Sequence, residues 1–341
     1  MKPSKKATTN KRTALIVLCS VLALILLLLI LGTAYMESVM GLINRDPNSG
    51  NISDSQYQEY LDNQTETVAP NFSGVTLNPE DVTWDEPENL VGKGESVINI
   101  LLIGQDRRPG EGRSRSDAMI LCTVNKNAKT LTMTSFMRDM YVQIPGYYDD
   151  RINVCYFLGG MELLNACMEK NFGVHIDGNI EVDFNGFTEV IDLVGGVDVE
   201  LTSAEVNYLT KYGYSVTTGM NHLDGATALE YSRIRDIGDD FGRTQRQRIV
   251  LSALLQKAKT MSLGQLNSLL KEVLPMLTTD LSNSEILGYA LDIFPLLSSL
   301  TIQTERIPVD GSYQDAWIRD MAVLMPNLKT NQEVLAEIMK E

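Results

Sequence analysis

Four short segments of this 341-residue chain set arginine beside aspartate. The first, GQDRRPGEGRSRSDAM, carries Asp106 and Asp117 among Arg107, Arg108, Arg113 and Arg115. The second, SFMRDMYVQIPG, carries Arg138 and Asp139, and the third, DDRINVCYFLGG, carries Arg151 and Asn153. The fourth, Ala228 to Arg248, holds Arg233, Arg235, Arg243, Arg246 and Arg248. A guanidinium is planar, permanently charged and fork-shaped, so it suits the paired oxygens of a phosphate. Two neighbouring carboxylates suit a hard cation such as Mg²⁺, which completes its shell with water and phosphate oxygens. Each segment alone also admits a plainer reading. Asp106 and Asp117 could sit in surface ion pairs, Arg138 and Asp139 could form a structural pair, and the last segment could be a solvated basic face. Their combination favours phosphate chemistry assisted by a metal. No dinucleotide-type glycine motif or P-loop occurs. His175 and His222 lie outside these clusters, so a histidine-based triad is not supported.

The elements around these residues place them at strand and helix ends. VINILLIG, DAMILCTVN and LTMTSFM are short apolar runs rich in β-branched residues and read as buried strands. Asp106 then follows one strand and Asp117 opens the next, while Arg138 ends the third. Adjacent strands bring such residues to one edge of a sheet, where α/β proteins place ligands. NVCYFLGGMELLNACMEKNFG has helical spacing and a glycine stop, so Arg151 stands just before a helix N-terminus, which favours anions. Arg233 and Arg235 point one way if their segment is extended. Arg243 and Arg246 share one face of a helix start. Strands interleaved with helices predict an α/β sandwich.

The arginines are concentrated against the balance of the chain, whose formal net charge is -15. Five of the 29 bases precede Ala14, which leaves 24 against 44 acids in the remainder. Such a surface repels nucleic acid, so an anion site must be local. The run Ala14 to Ala34 has no charge and no proline, and at 1.5 Å per residue a helix of that length spans a bilayer core of roughly 30 Å. A cleavable signal peptide is the competing reading, but its apolar region is usually about 7–15 residues long. The expected order is a basic cytoplasmic tail (1–13), a single-pass anchor (14–36), a polar extracellular stalk (37–95), a catalytic domain (96–330) and a short tail (331–341). Cys155 and Cys167 could pair in an oxidising compartment or remain buried thiols.

The segments NILLIGQD, RSRSDAMI, SFMRDMYVQIPG, RINVCYFLGG, VDFNGFTEVIDLVGGVDV, LDGATALEYSRIR and FGRTQRQ, in this order from about Ile98 to Gln256, resemble the LytR–CpsA–Psr family of bacterial envelope proteins. The resemblance implies an α/β/α sandwich with a central mixed sheet, preceded here by the transmembrane helix. It implies a phosphotransferase that moves a glycopolymer from a polyprenyl pyrophosphate carrier to a peptidoglycan acceptor at the membrane. Matched residue by residue, Asp106 and Asp117 fall where the family binds Mg²⁺, with Mn²⁺ as the alternative ion. Arg115, Arg138, Arg151, Arg233, Arg235, Arg243, Arg246 and Gln247 fall where it grips pyrophosphate. Arg138, Asp106 and Asp117 are the expected catalytic group, and Arg248 falls outside the pattern. Arg151 replaces the usual lysine, Met137 the usual proline and Gln105 a common serine. Two other activities remain to be separated from transfer. One is hydrolysis of the lipid pyrophosphate, and the other is a non-catalytic regulatory or wall-binding role.

Overall fold

The computed structural model describes residues 35, 37–45, 50–64, 66, 72–105 and 112–340. The anchor run Ala14 to Ala34 and Asp106 lie outside the described residues. Among the described residues no helix is long and apolar enough to cross a membrane.

A seven-stranded mixed sheet organises the molecule. Its strands run in the order Asn44–Arg45, Thr278–Thr279, Gly178–Asp183, Val97–Gln105, Ser116–Asn125, Thr130–Phe136 and Thr301–Ile307. The fourth to sixth are an antiparallel meander, and 178–183 and 301–307 add in parallel to its two sides. The apolar runs that read as strands are buried on both faces. Val97, Leu101, Ile103, Met119, Leu121 and Phe136 face the helices Asn153–Phe172 and Leu328–Ile338. Ile98, Val124, Leu131 and Ile302 face Leu255 of the helix Asp240–Lys259 and Tyr289 and Ile293 of the helix Asn283–Ile293. These two apolar layers make the α/β/α sandwich. A further core, of Ile191, Val197, Leu209, Leu223, Tyr231 and Val250, joins the 240–259 helix to the antiparallel pair of strands 197–201 and 219–223 and to the helices Phe184–Leu193, Ser203–Lys211 and Gly225–Arg233.

Two boundaries differ from the sequence reading. The described parts of the segment expected to be a stalk pack onto the domain, beginning with Val39, Met40 and Ile43. Tyr60 of the helix Asp54–Asp62 is 8% exposed, Val75–Thr76 pairs with the strand Tyr313–Ile318, and Val91 donates to Gly173 O at 2.7 Å. Its polar composition hid a few well-spaced aromatic and aliphatic anchors. The C-terminal tail is likewise the end of the 328–338 helix, with Leu335 fully buried.

Candidate active site

The 240–259 helix runs antiparallel to the strand 130–136. Its Thr244 donates to Met137 Sδ at 3.6 Å, and Leu255 packs against Leu131 at the strand's other end. Asp239 caps it by accepting from the amides of Phe241 and Gly242. This fixes the helix start above the strand ends that carry Asp117 and Arg138. There a cavity of about 380 Å³ opens between the sheet and the further core. Gly104, Asp117 and Ala118 line it from the sheet, and Phe184, Tyr208 and Glu230 from the opposite wall. Arg233, Arg235 and Asp236 line it from exposed positions, and Arg243 and Gln247 from buried or half-buried positions on the 240–259 helix. Ile234 between the two exposed arginines is fully buried, so Arg233 and Arg235 share a side. Arg233 Cζ sits 4.6 Å from the Phe184 ring centroid, which holds the guanidinium at the mouth while leaving its edge available.

Arg138 is held by three carboxylates. Its Nη1 lies 2.5 Å from Asp117 Oδ1, its Nε 3.6 Å from Asp139 Oδ2 and its Nη2 3.6 Å from Asp240 Oδ1. Burial works against its charge, but Asp139, Asp240 and Asp117 outweigh it and raise its pKa. Asp240 also accepts from Arg243 Nη2 at 2.9 Å. Burial lowers the pKa of Arg243; Asp240 opposes this and the nearby Arg138 adds to it. Asp139 is held above the usual carboxylate range by burial, against the pull of Arg138 and Arg151.

The sequence-predicted binding residues do not all reach this cavity. Arg151 Nη1 and Nη2 bond Glu66 at 2.8 and 2.9 Å, and its Nε donates to Ala322 O at 3.0 Å. Arg115 lies 5.4 Å from the Tyr60 ring centroid. Both line a separate cavity of about 70 Å³; Asp139 lies 3.7 Å from Arg151 Nε and 3.6 Å from Arg138 Nε. Arg246, expected beside Arg243, turns away from the cavity. Its Nε bonds buried Glu205 at 2.8 Å, and Nη1 and Nη2 donate to Ile234 O and Ile237 O at 3.0 and 2.8 Å. Arg246 therefore holds the backbone that presents Arg235. Residues three apart on a helix differ by about 60° in direction, enough to aim them at different neighbours. Arg248 is only 9% exposed and leaves Nε and Nη1 unpartnered; burial and nearby Arg306 push its pKa to about 10.

Asp240, Glu66, Phe184 and Tyr208 were not singled out from the sequence. Asp240 was visible only as a counter-ion of the basic run, and Glu66 sits in the supposed stalk with no local signal. Gln105 accepts from Ser114 N at 2.9 Å and donates to Glu181, so it ties together the two ends of the segment that contains Asp106. As a metal site, the described residues offer the hard oxygens of Asp117 inside the cavity, a donor that fits Mg²⁺ or Mn²⁺. Among the described residues no group of three or more His, Cys, Asp or Glu forms a ready-made metal cage.

Comparison with known proteins gives a consistent picture. The LytR_cpsA_psr family matches residues 51–338. The regulatory protein MsrR of Staphylococcus aureus (strain COL) is 31% identical over 257 residues, 73% of this chain and 76% of its own. The polyisoprenyl-teichoic acid–peptidoglycan teichoic acid transferase TagT of Bacillus subtilis (strain 168) is 32% identical over 258 residues, again 73% of this chain and 76% of its own. A structure of TagT with bound octaprenyl pyrophosphate lipid superposes with a TM-score of 0.56 at 25% identity, covering 76% of this chain and all of that one.

Proposed function

From the premise that this chain belongs to the LytR_cpsA_psr family, we propose that it is a phosphotransferase that moves a glycopolymer from a polyprenyl pyrophosphate carrier to peptidoglycan. The observation that carries the reading is the cavity lined by Arg233, Arg235 and Arg243, with Asp117, held by Arg138, on its sheet side. Phosphoryl transfer needs little covalent help from a protein. It needs the phosphates positioned and the spreading negative charge stabilised. Arg233 and Arg235 grip the pyrophosphate, and Arg138 meets the charge that grows on the reacting phosphate. The oxygen of an acceptor-glycan hydroxyl, losing its proton to solvent, forms a new bond to the sugar-linked phosphorus; the bond from that phosphorus to the bridging oxygen breaks, and the polyprenyl monophosphate leaves with that oxygen. Asp117, with Asp106 from the segment outside the described residues, would hold Mg²⁺ or Mn²⁺. The ion would supply positive charge to the phosphate oxygens. Asp117 binds Arg138 directly, so a cation there would compete with Arg138 for that carboxylate and leave the guanidinium freer for phosphate.

The apolar run Ala14 to Ala34 is proposed to anchor the chain in the membrane, basic end inside and catalytic domain outside, beside its lipid-borne donor. Hydrolysis is the second reading, because water can replace the glycan hydroxyl in the same site. The full chain, purified from membranes and given a lipid-pyrophosphate glycopolymer with or without peptidoglycan, separates the two. Polymer attached to peptidoglycan supports transfer. Free polymer phosphate at the same rate with and without acceptor overturns it. No turnover in either arm, with donor still bound, would leave a wall-binding or regulatory protein.

A further inference from the structure

The helices Leu263–Val273 and Asn283–Ile293 are apolar in sequence yet poorly covered. The second buries none of its residues, and neither does the 3₁₀ turn Phe294–Ser299 that follows it. Leu270, Leu291 and Phe294 are 43, 67 and 44% exposed. Large apolar side chains left in water on successive elements of one layer call for an apolar neighbour.

The chain itself says what lies beside them. Tyr35, the first described residue, donates its hydroxyl to Asn267 Oδ1 at 2.9 Å, and Lys271 Nζ lies 4.9 Å from its ring centroid. Val39, Met40 and Ile43 then bury themselves against Leu274, beside Leu277 and Ile286, and Asn44–Arg45 pairs with Thr278–Thr279. The uncharged run Ala14 to Ala34 ends one residue before Tyr35. The segment leaving that run is therefore fastened to the same two helices that expose Leu270, Leu291 and Phe294. Tyr35 and Leu42, 42 and 41% exposed, belong to this corner too. Charges here are mixed: Lys271 is near Glu272, and Asp292 is paired with Lys126 at 2.6 Å. Any attraction to lipid must be apolar rather than electrostatic.

We infer that the 263–273 and 283–299 segments rest on the outer surface of a lipid bilayer, with Leu270, Leu291 and Phe294 dipped into its interfacial region. This rests on the anchor reading above, and it adds an orientation that an anchor alone does not fix. The same layer packs Tyr289 and Ile293 against the sheet face on which the phosphate cavity opens, through Ile98, Val124 and Leu131. A prenyl tail drawn from the bilayer would then pass to the cavity beneath helices already in contact with lipid.

The test uses the full chain in phosphatidylcholine vesicles, with tryptophan as a depth probe. Leu291→Trp is compared with Met220→Trp on the 219–223 strand, a position of matched exposure at 68%. Wild type, with Trp84 and Trp317, is the blank. Acyl-brominated phosphatidylcholine should quench the added fluorescence of Leu291→Trp several-fold more than that of Met220→Trp, and 0.5 M salt should not relieve it. Phe294→Trp repeats the measurement if Leu291→Trp folds poorly. Failure to float with vesicles sinks the anchor. Stable flotation with equal or no quenching at both positions sinks the resting face and leaves the anchor standing. Fluorescence that responds to protein density instead of bromine would assign the face to a second copy and overturn the proposal.

Discussion

Arg138 answers to Asp117, Asp139 and Asp240 at once, and this predicts how its variants divide. Arg138→Ala should lower turnover by about 10²–10³, the usual loss for one charge-stabilising donor. Arg138→Lys keeps the charge but not the fork, so it should stay badly impaired while melting near wild type. Arg233→Ala should chiefly weaken donor binding, because Arg233 meets ligand at the rim. Arg246→Ala should act through stability instead. Its partner Glu205 has a side chain only 9% exposed, and orphaning a buried charge costs about 3–5 kcal/mol. Burial opposes ionisation of Glu205, but Thr202 and Arg246 outweigh it and hold its carboxyl below the ordinary 4.5. A depressed carboxylate stabilises the fold above that value and loses the contribution as pH falls through the folded pKa. Acid melting below about pH 4.5 should therefore be shallower in Glu205→Gln, read by circular dichroism. Arg248 falls outside the family pattern, but its burial rules it out as a neutral control. Arg248→Met removes a desolvated, half-partnered charge and should raise the melting temperature without changing donor affinity. Residue types were legible in the sequence because phosphate chemistry selects Arg and Asp. Directions were not: nothing local separates Arg243 in the cavity from Arg246 on Glu205.

At the scale of elements, the strands were the most readable part. Continuous apolar runs such as VINILLIG mark strands covered on both faces, and their ends located Gly104, Asp117 and Arg138. The 153–172 helix was less readable. Its spacing predicts one continuous helix, but Gly160 adopts φ 66° and ψ -154°, and the axis breaks there. The break brings Cys155 and Cys167, both fully buried, to 2.6 Å between sulfurs, a proximity that twelve residues of straight helix cannot give. That backbone region is open essentially to glycine alone. Gly160→Ala should destabilise the domain by about 1–3 kcal/mol in denaturant titration, with activity preserved in whatever remains folded. Long-range partners such as Glu66 for Arg151, 85 residues apart, leave no periodic trace and were missed for that reason.

For the whole molecule, the site exists because two cores fail to close on one another. The sheet presents Gly104 and Ala118 at the cavity floor, and the further core presents Phe184 and Tyr208 opposite. The small floor residues are a fitted pair: a Cβ added at Gly104 would lie 3.1 Å from the Ala118 Cβ. Space is kept there that larger strand residues would fill. Ala118→Leu places a branched side chain in that space, at a half-buried position that already borders the cavity, so the fold should survive. Donor affinity should fall, and with it the dependence on prenyl length. In wild type each additional buried CH₂ contributes roughly 0.8 kcal/mol, so affinity should climb steeply over the first isoprene units and flatten once the tail outgrows its channel. Ala118→Leu should weaken the longer lipids most, because its side chain obstructs the path between the phosphates and the tail, while inorganic pyrophosphate at the rim keeps its affinity. The measurement is a competition series of prenyl pyrophosphates of increasing length against both proteins in detergent. Equal affinity for all lengths in wild type would mean that the tail stays outside. A uniform loss across the series in Ala118→Leu, pyrophosphate included, would mean that the substitution disturbed Asp117 next to it rather than the path of the lipid.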